Sequence, residues 1–213
     1  MDQTTSQTIA RMLLQIKAVK LQAKNPFTWA SGWKSPIYCD NRKTLSYPTE
    51  RSYIKWAFCK LITEQYPQAE CIAGVATGAI SWGSLVADAL GLPFVYIRSA
   101  AKDHGMQNLI EGDLKKNSKV VVIEDLISTG GSSVKAVEAI KEAGADVLSL
   151  IAVYTHGFKQ AEDLFSRINI PMTTLSHYDD VIAMAVSSGY ITASEVKMLQ
   201  EWRKNPSEWN PTV

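Results

Sequence analysis

The fourteen residues VVVIEDLISTGGSS, Val120 to Ser133, constrain this chain more than any other stretch. Val120, Val121, Val122 and Ile123 form an unbroken β-branched run, the pattern of a strand covered on both faces of a parallel sheet. Glu124 and Asp125 fall where that strand is expected to end. Ser128, Thr129, Gly130, Gly131 and Ser132 follow, small and rich in hydroxyls, just ahead of an apolar helical pattern led by Val134, Val137 and Ile140. Such a turn at a helix N-terminus gathers backbone N–H donors and the positive end of the helix dipole, and so favours an anion. Two carboxylates beside that anion would repel it unless they face a metal or the hydroxyl groups of a sugar. A ribose 5-phosphate meets both demands, with hydroxyls for the acids and a phosphate for the turn.

The rest of the chain supplies the sheet that this strand needs. Ile9, Met12, Leu13 and Ile16 recur at helical spacing, and so do Ile54, Ala57, Phe58, Leu61 and Ile62. After Cys71 the order reads strand (71–75), helix (about 81–90, closed by Gly91 and Pro93), strand (94–98), long polar loop, and the strand from Val120. A helix to Ala143, ended by Gly144, and a strand from Val147 to Tyr154 follow. This alternation predicts right-handed crossovers and a twisted parallel sheet flanked by helices, with ligands beyond the C-terminal strand ends. The 213 residues suffice for one domain with a small appended subdomain.

The run from Val120 resembles the phosphoribosyl pyrophosphate motif of the type I phosphoribosyltransferases: four hydrophobic residues, two acidic residues, then a short Thr/Ser/Gly loop. The resemblance implies that Glu124, Asp125, Leu126, Ile127, Ser128, Thr129, Gly130, Gly131 and Ser132 bind that substrate, the acids on the ribose and Ser128 to Ser132 on the 5-phosphate. The turn after Val75, with Thr77 and Gly78, lets backbone amides approach a second anion closely. In the family the equivalent turn receives the pyrophosphate.

Two further segments narrow the resemblance. The loop from Arg98 to Gly112, RSAAKDHGMQNLIEG, places Arg98, Lys102 and His104 within seven residues. Cationic groups on a loop can cover a departing pyrophosphate, offset its charge and exclude water. Arg98, Lys102, Asp103, His104 and Gly105 match the catalytic loop of the orotate phosphoribosyltransferases, whereas Ser99 and Ala100 stand where that family carries a second lysine. The segment Phe27 to Arg42 is similar to the same family's FTLxSGxxSPxYxDxR signature, a hood over the base, and its aromatic residues suit stacking on a planar ring. Ala30 and the Thr155–His156–Gly157 segment lack a lysine and an arginine that many members carry there.

The resemblance therefore implies one phosphoribosyltransferase domain over residues 1–213, with a hood from about 1–45 plus the C-terminal helices and an α/β core from about 50–175. The implied reaction moves the phosphoribosyl group from phosphoribosyl pyrophosphate to orotate with inversion, through an oxocarbenium-like transition state. Lys102, His104 and Asp125 are the expected catalytic residues, and Ser128, Phe27, Lys34 and Tyr38 the expected orotate contacts. Mg2+ is expected to enter with the pyrophosphate, without direct protein ligands. A homodimer with shared sites is implied because the family's loop reaches into the neighbouring subunit.

Ser128 has no GxSxG elbow around it, so nothing marks it as a covalent nucleophile. The alternatives are transfer to a purine, or a non-enzymatic regulator that senses phosphoribosyl pyrophosphate. A net charge of +1 gives no signal for nucleic acid or an anionic membrane. Asp2, Arg11, Lys17 and Lys20 interrupt the first twenty residues, against a signal peptide or membrane span. Cys39, Cys59 and Cys71 are widely spaced and read as reduced thiols in a cytoplasmic protein, and the three histidines show no metal-ligand spacing.

Overall fold

The computed structural model describes residues 2–22, 25–100 and 109–210. Helix α1 (Gln3–Gln15) is followed by strands β1 (Val19–Leu21), β2 (Phe27–Thr28), β3 (Lys34–Ser35) and β4 (Ile37–Cys39), a 3-10 turn (Asn41–Ser46) and helix α2 (Pro48–Gln65). Strand β1 pairs antiparallel with β4, and β2 with β3, so the aromatic-rich segment folds as two short ribbons. The core then alternates β5 (Cys71–Val75), α3 (Ile80–Leu90), β6 (Phe94–Ile97), β7 (Ile110–Glu111), β8 (Lys119–Ile127) and α4 (Gly131–Glu142). It continues through β9 (Asp146–Thr155), α5 (Lys159–Ile168), β10 (Met172–His177) and α6 (Tyr178–Ser187) to α7 (Ala193–Lys204).

Six strands form one sheet in the order β10-β9-β8-β5-β6-β7. All neighbours are parallel except β6 and β7, so the expected α/β fold carries one antiparallel edge strand. That strand falls within the segment expected to be loop. The Arg98 N–H donates to the Leu109 carbonyl at 2.8 Å, and Arg98 pairs with Glu111 at 3.5 Å, which closes the base of the loop as a hairpin.

Apolar residues cover both faces, as the β-branched run requires. Val121 and Ile123 join one cluster with Ile151, Val153 and residues of α1, α2, α3 and α6, while Val120 and Val122 join another with Leu150, Ala152 and residues of α4 and α5. Ile54, Ala57, Phe58, Leu61 and Ile62 are buried along α2, and Ile9 and Leu13 along α1. Helix α3 ends at Gly91, whose φ of 65° forms a left-handed cap that a side chain would strain. At the other end of the sheet, Gly74 and Gly83 bring α3 close to β5; a Cβ on Gly74 would lie 2.7 Å from the Ala79 carbonyl oxygen.

Candidate active site

Strand β8 does not stop at Ile123 but runs on through the acidic pair to Ile127. The cause is its neighbour: β9 continues alongside, pairing Glu124 with Ala152, Leu126 with Tyr154 and Ile127 with Thr155. Side chains alternate along a strand, so the extension sends the two carboxylates to opposite faces.

Glu124 follows Val120 and Val122 to the α4 face, where it is 4% exposed. Its Oε2 accepts from the Ser133 hydroxyl and its Oε1 from the Asp125 N–H, both at 2.9 Å. Burial, with the Asp125 charge beside it, pushes the Glu124 carboxyl well above its ordinary value. Asp125 follows Val121 and Ile123 to the other face and is half-buried. Burial raises its carboxyl too, although the backbone N–H of Leu126 and the Arg42 charge work in the opposite direction.

The turn after β5 lies directly against Asp125. The Ala76–Thr77 peptide is cis, and a Cβ on Gly78 would fall 2.1 Å from the Asp125 Oδ2. Only a residue without a side chain lets the Thr77–Gly78 backbone come this near to the carboxylate. From the other side, the Asn41 Nδ2 donates to the Asp125 carbonyl at 2.6 Å, tying the 3-10 turn of the N-terminal segment to the end of β8.

Ser128, Thr129 and Gly130 connect β8 to α4. Gly130, at φ 84°, turns the chain in the left-handed region and serves as the helix N-cap with no side-chain cap bond. A Cβ on Gly131 would meet no atom within 4 Å, so the first turn of α4 opens onto space. A cavity of about 500 Å³ opens beside it, bordered by Ala76, Arg98, Ser132 and Lys135. Lys135, the N-terminal end of α4 and Arg98, itself paired with Glu111, favour an anion at that end of the cavity, while Glu138 and Glu142 line it farther along α4. Asn41, Ser133 and Lys135 were not singled out in the sequence. Ser133 lay within reach of inference as the first inward position of α4, whereas nothing local marks Asn41, 84 residues from its partner.

The expected base contacts Phe27, Lys34 and Tyr38 lie on the short ribbons of the N-terminal segment. Phe27 and Tyr38 pack against each other with ring centroids 5.5 Å apart, and the Lys34 Nζ donates to the Thr28 hydroxyl at 2.8 Å. Trp29 packs on the core instead: it stacks on buried His156 at 5.1 Å and meets Trp202 edge-on at 5.6 Å. Lys102, Asp103, His104 and Gly105 lie outside the described residues. Among the described residues no group of three or more His, Cys, Asp or Glu is arranged to hold a metal ion. Nor, among them, is any helix long and apolar enough to cross a membrane.

Residues 58–184 match the family model described as a phosphoribosyl transferase domain. The chain is 61% identical over 206 residues to an orotate phosphoribosyltransferase of Porphyromonas gingivalis, covering 97% of this chain and 98% of that one. It is 50% identical over 201 residues to one of Listeria innocua, covering 94% and 96% respectively. Among solved structures, an orotate phosphoribosyltransferase from Aeropyrum pernix shares the fold with a TM-score of 0.75 at 26% identity, covering 86% of this chain and 99% of that one.

Proposed function

The chain belongs to the orotate phosphoribosyltransferases, a branch of the phosphoribosyl transferase domain family, and on that premise we propose that the cleft above β5 and β8 carries the reaction. The enzyme transfers the 5-phosphoribosyl group from phosphoribosyl pyrophosphate to orotate, giving orotidine 5'-monophosphate and pyrophosphate on the way to UMP. The observation that carries the residue assignment is the close approach of Gly78 to Asp125, which sets a bare backbone turn against a partly exposed carboxylate.

In this assignment Asp125 accepts from the ribose hydroxyls and, ionised, offsets the positive charge that develops on the ring. Glu124, engaged by Ser133 and the Asp125 N–H, supports the ribose site from beneath. Leu126 and Ile127 carry the strand to the phosphate turn, where Ser128, Thr129, Gly130, Gly131 and Ser132 receive the 5-phosphate. Thr77 and Gly78 offer amides to the pyrophosphate, with Arg98 at the cavity edge. Lys102 and His104 are assigned to the leaving pyrophosphate from their match to the family's loop. Ser128, Phe27, Lys34 and Tyr38 are assigned to orotate on the same ground.

Mg2+ fits this donor set as an ion carried by its substrate. Glu124 is already engaged by Ser133 and the Asp125 N–H, and Asp125 is assigned to the ribose, so pyrophosphate oxygens and water would hold the ion. Bound there, the ion would neutralise charge on the leaving group.

We further propose a homodimer in which each loop serves the neighbouring site, and a cytoplasmic location that suits three unpaired thiols. Mixing Lys102→Ala with Asp125→Ala tests the shared site: a shared-site dimer recovers about one quarter of wild-type activity through sites free of both lesions. No recovery would refute it. The activity is tested by loss of orotate absorbance with and without phosphoribosyl pyrophosphate and Mg2+, against adenine and xanthine. Consumption of orotate alone among the bases is expected. Turnover of a purine instead, or of none, overturns the assignment.

A further inference from the structure

The 3-10 turn of the N-terminal segment is latched to the end of β8 and brings a charge with it. The Asn41 Nδ2 donates to the Asp125 carbonyl at 2.6 Å, across 84 residues of sequence. Asn41 is buried, and its side-chain oxygen accepts from the Cys39 thiol at 3.3 Å, so both ends of the amide are engaged. Arg42 is the next residue along. Its Nε donates to the Asp40 Oδ1 at 2.7 Å, which ties the guanidinium to the same turn. That bond uses one of the five N–H donors of the guanidinium.

The titratable groups around Asp125 differ in the charge they bring. Glu124 faces it from its own strand, and burial there favours the neutral acid. From β4 comes Cys39, whose thiol is pushed up by burial and by the Asp125 and Asp40 charges, and so stays neutral too. From the 3-10 turn comes Arg42 with its partner Asp40. The turn after β5, Ala76 to Ala79, carries no ionisable side chain. Arg42 is therefore the cation around Asp125 among the described residues. Burial raises the Asp125 carboxyl, and the Arg42 charge draws it back down.

On the reading of Asp125 as the ribose contact, we propose that Arg42 is a positioning residue for the reaction: tethered by Asp40 on the turn that Asn41 latches to β8, its charge keeps Asp125 ionised. An ionised carboxylate accepts the ribose hydroxyls strongly and offsets the positive charge of an oxocarbenium-like transition state, whereas a protonated one gives up both. Arg42 acts through Asp125 and needs no contact with substrate. Its side chain is 59% exposed, so water and salt screen the charge, and the effect is a few-fold change rather than orders of magnitude.

The pH dependence of kcat/KM for phosphoribosyl pyrophosphate tests it, measured for wild type, Arg42→Lys, Arg42→Gln and Arg42→Glu, with Asp125→Asn as the control. Titration of the substrates themselves is common to all five proteins. Between about pH 8 and pH 5, kcat/KM should fall about threefold further in Arg42→Gln than in wild type, and further again in Arg42→Glu. Arg42→Lys should follow wild type. Salt at about 1 M should close the gap between wild type and Arg42→Gln. A packing role would not rank the variants by charge. Coincident acid limbs in wild type, Arg42→Gln and Arg42→Glu, or an Arg42→Lys no better than Arg42→Gln, overturn the proposal while leaving Asp125 in its role. If Asp125→Asn keeps wild-type velocity across the range, the ribose assignment falls, and the role of Arg42 with it.

Discussion

Gly78→Ala is the sharpest test of the way the cleft is built. The added carbon would sit 2.1 Å from the Asp125 Oδ2 and 2.3 Å from its Cγ, about 1 Å short of van der Waals contact. The backbone turn cannot retreat easily, because the Ala79 N–H donates to the Val75 carbonyl at 3.0 Å and buried Ala79 packs beneath it. The Asp125 side chain is short and must swing away instead. Misplacing a positioning group by about 1 Å costs on the order of a hundredfold, or about 2.7 kcal/mol of transition-state stabilisation. The fold should survive, since Gly78 is not in the left-handed region and alanine restricts the unfolded chain, a gain of about 0.4–1 kcal/mol that offsets part of the clash. Titration calorimetry with phosphoribosyl pyrophosphate and Mg2+, beside initial velocities and a thermal melt, separates these effects. Affinity and kcat/KM within about threefold of wild type would refute the reasoning.

Lys102→Ala should lower turnover at least about tenfold with the fold intact, and an unchanged rate would remove Lys102 from the reaction. Ser133→Ala strips a hydroxyl donor from buried Glu124 and should cost about 1–3 kcal/mol in urea denaturation. Asn41→Ala cuts the bond to the Asp125 carbonyl and should raise the KM for phosphoribosyl pyrophosphate several-fold; an unaltered KM would leave Asn41 a purely structural latch. Burial, aided by the Arg203 charge, holds His156 down at about 3 against an ordinary 6.5. Between those values the unfolded chain takes up a proton that the folded chain refuses. Stability is therefore fullest above pH 6.5 and falls by about 1.4 kcal/mol per unit below it, a slope that His156→Phe should remove. Urea midpoints at pH 7 and pH 5 that shift alike in both proteins would contradict this.

The sheet was legible because its signals are local. Val120 to Ile123 reported a strand buried on both sides, Gly91 and Gly144 marked helix ends, and the alternation of elements left little choice of topology. The phosphate turn was legible for the same reason, since Ser128 to Ser132 lie between a strand and a helix that both show their periodicity. What escaped was set by contacts distant in sequence. Strand β8 outruns the acidic pair because β9 keeps pairing with it, and nothing in Glu124 or Asp125 announces that. The role of Trp29 depends on His156 and Trp202, from two other elements, so its aromatic character suited a base-stacking surface equally well. Arg203 stands 46 residues beyond Gly157, and only the docking of α7 brings them together.

The extension of β8 explains why the acidic pair need not behave as a pair. Two neighbouring carboxylates in a loop have no fixed relation and can converge on one ligand, where they repel each other. In a strand the period of two separates them. Glu124 goes to the face that α4 covers, where the Ser133 hydroxyl waits, and there burial favours the protonated form. Asp125 goes to the face where Gly78 and the Asn41 turn converge, and remains partly exposed there. A proton retained on Glu124 would remove the repulsion that otherwise opposes ionisation of Asp125, leaving the negative charge on the side where the ribose is assigned. The same alternation that buries Val120 to Val122 thus divides support from contact at the site. Moving the pair by one residue along β8 would exchange the two environments, placing the supporting acid in the cleft and the contacting acid beneath α4.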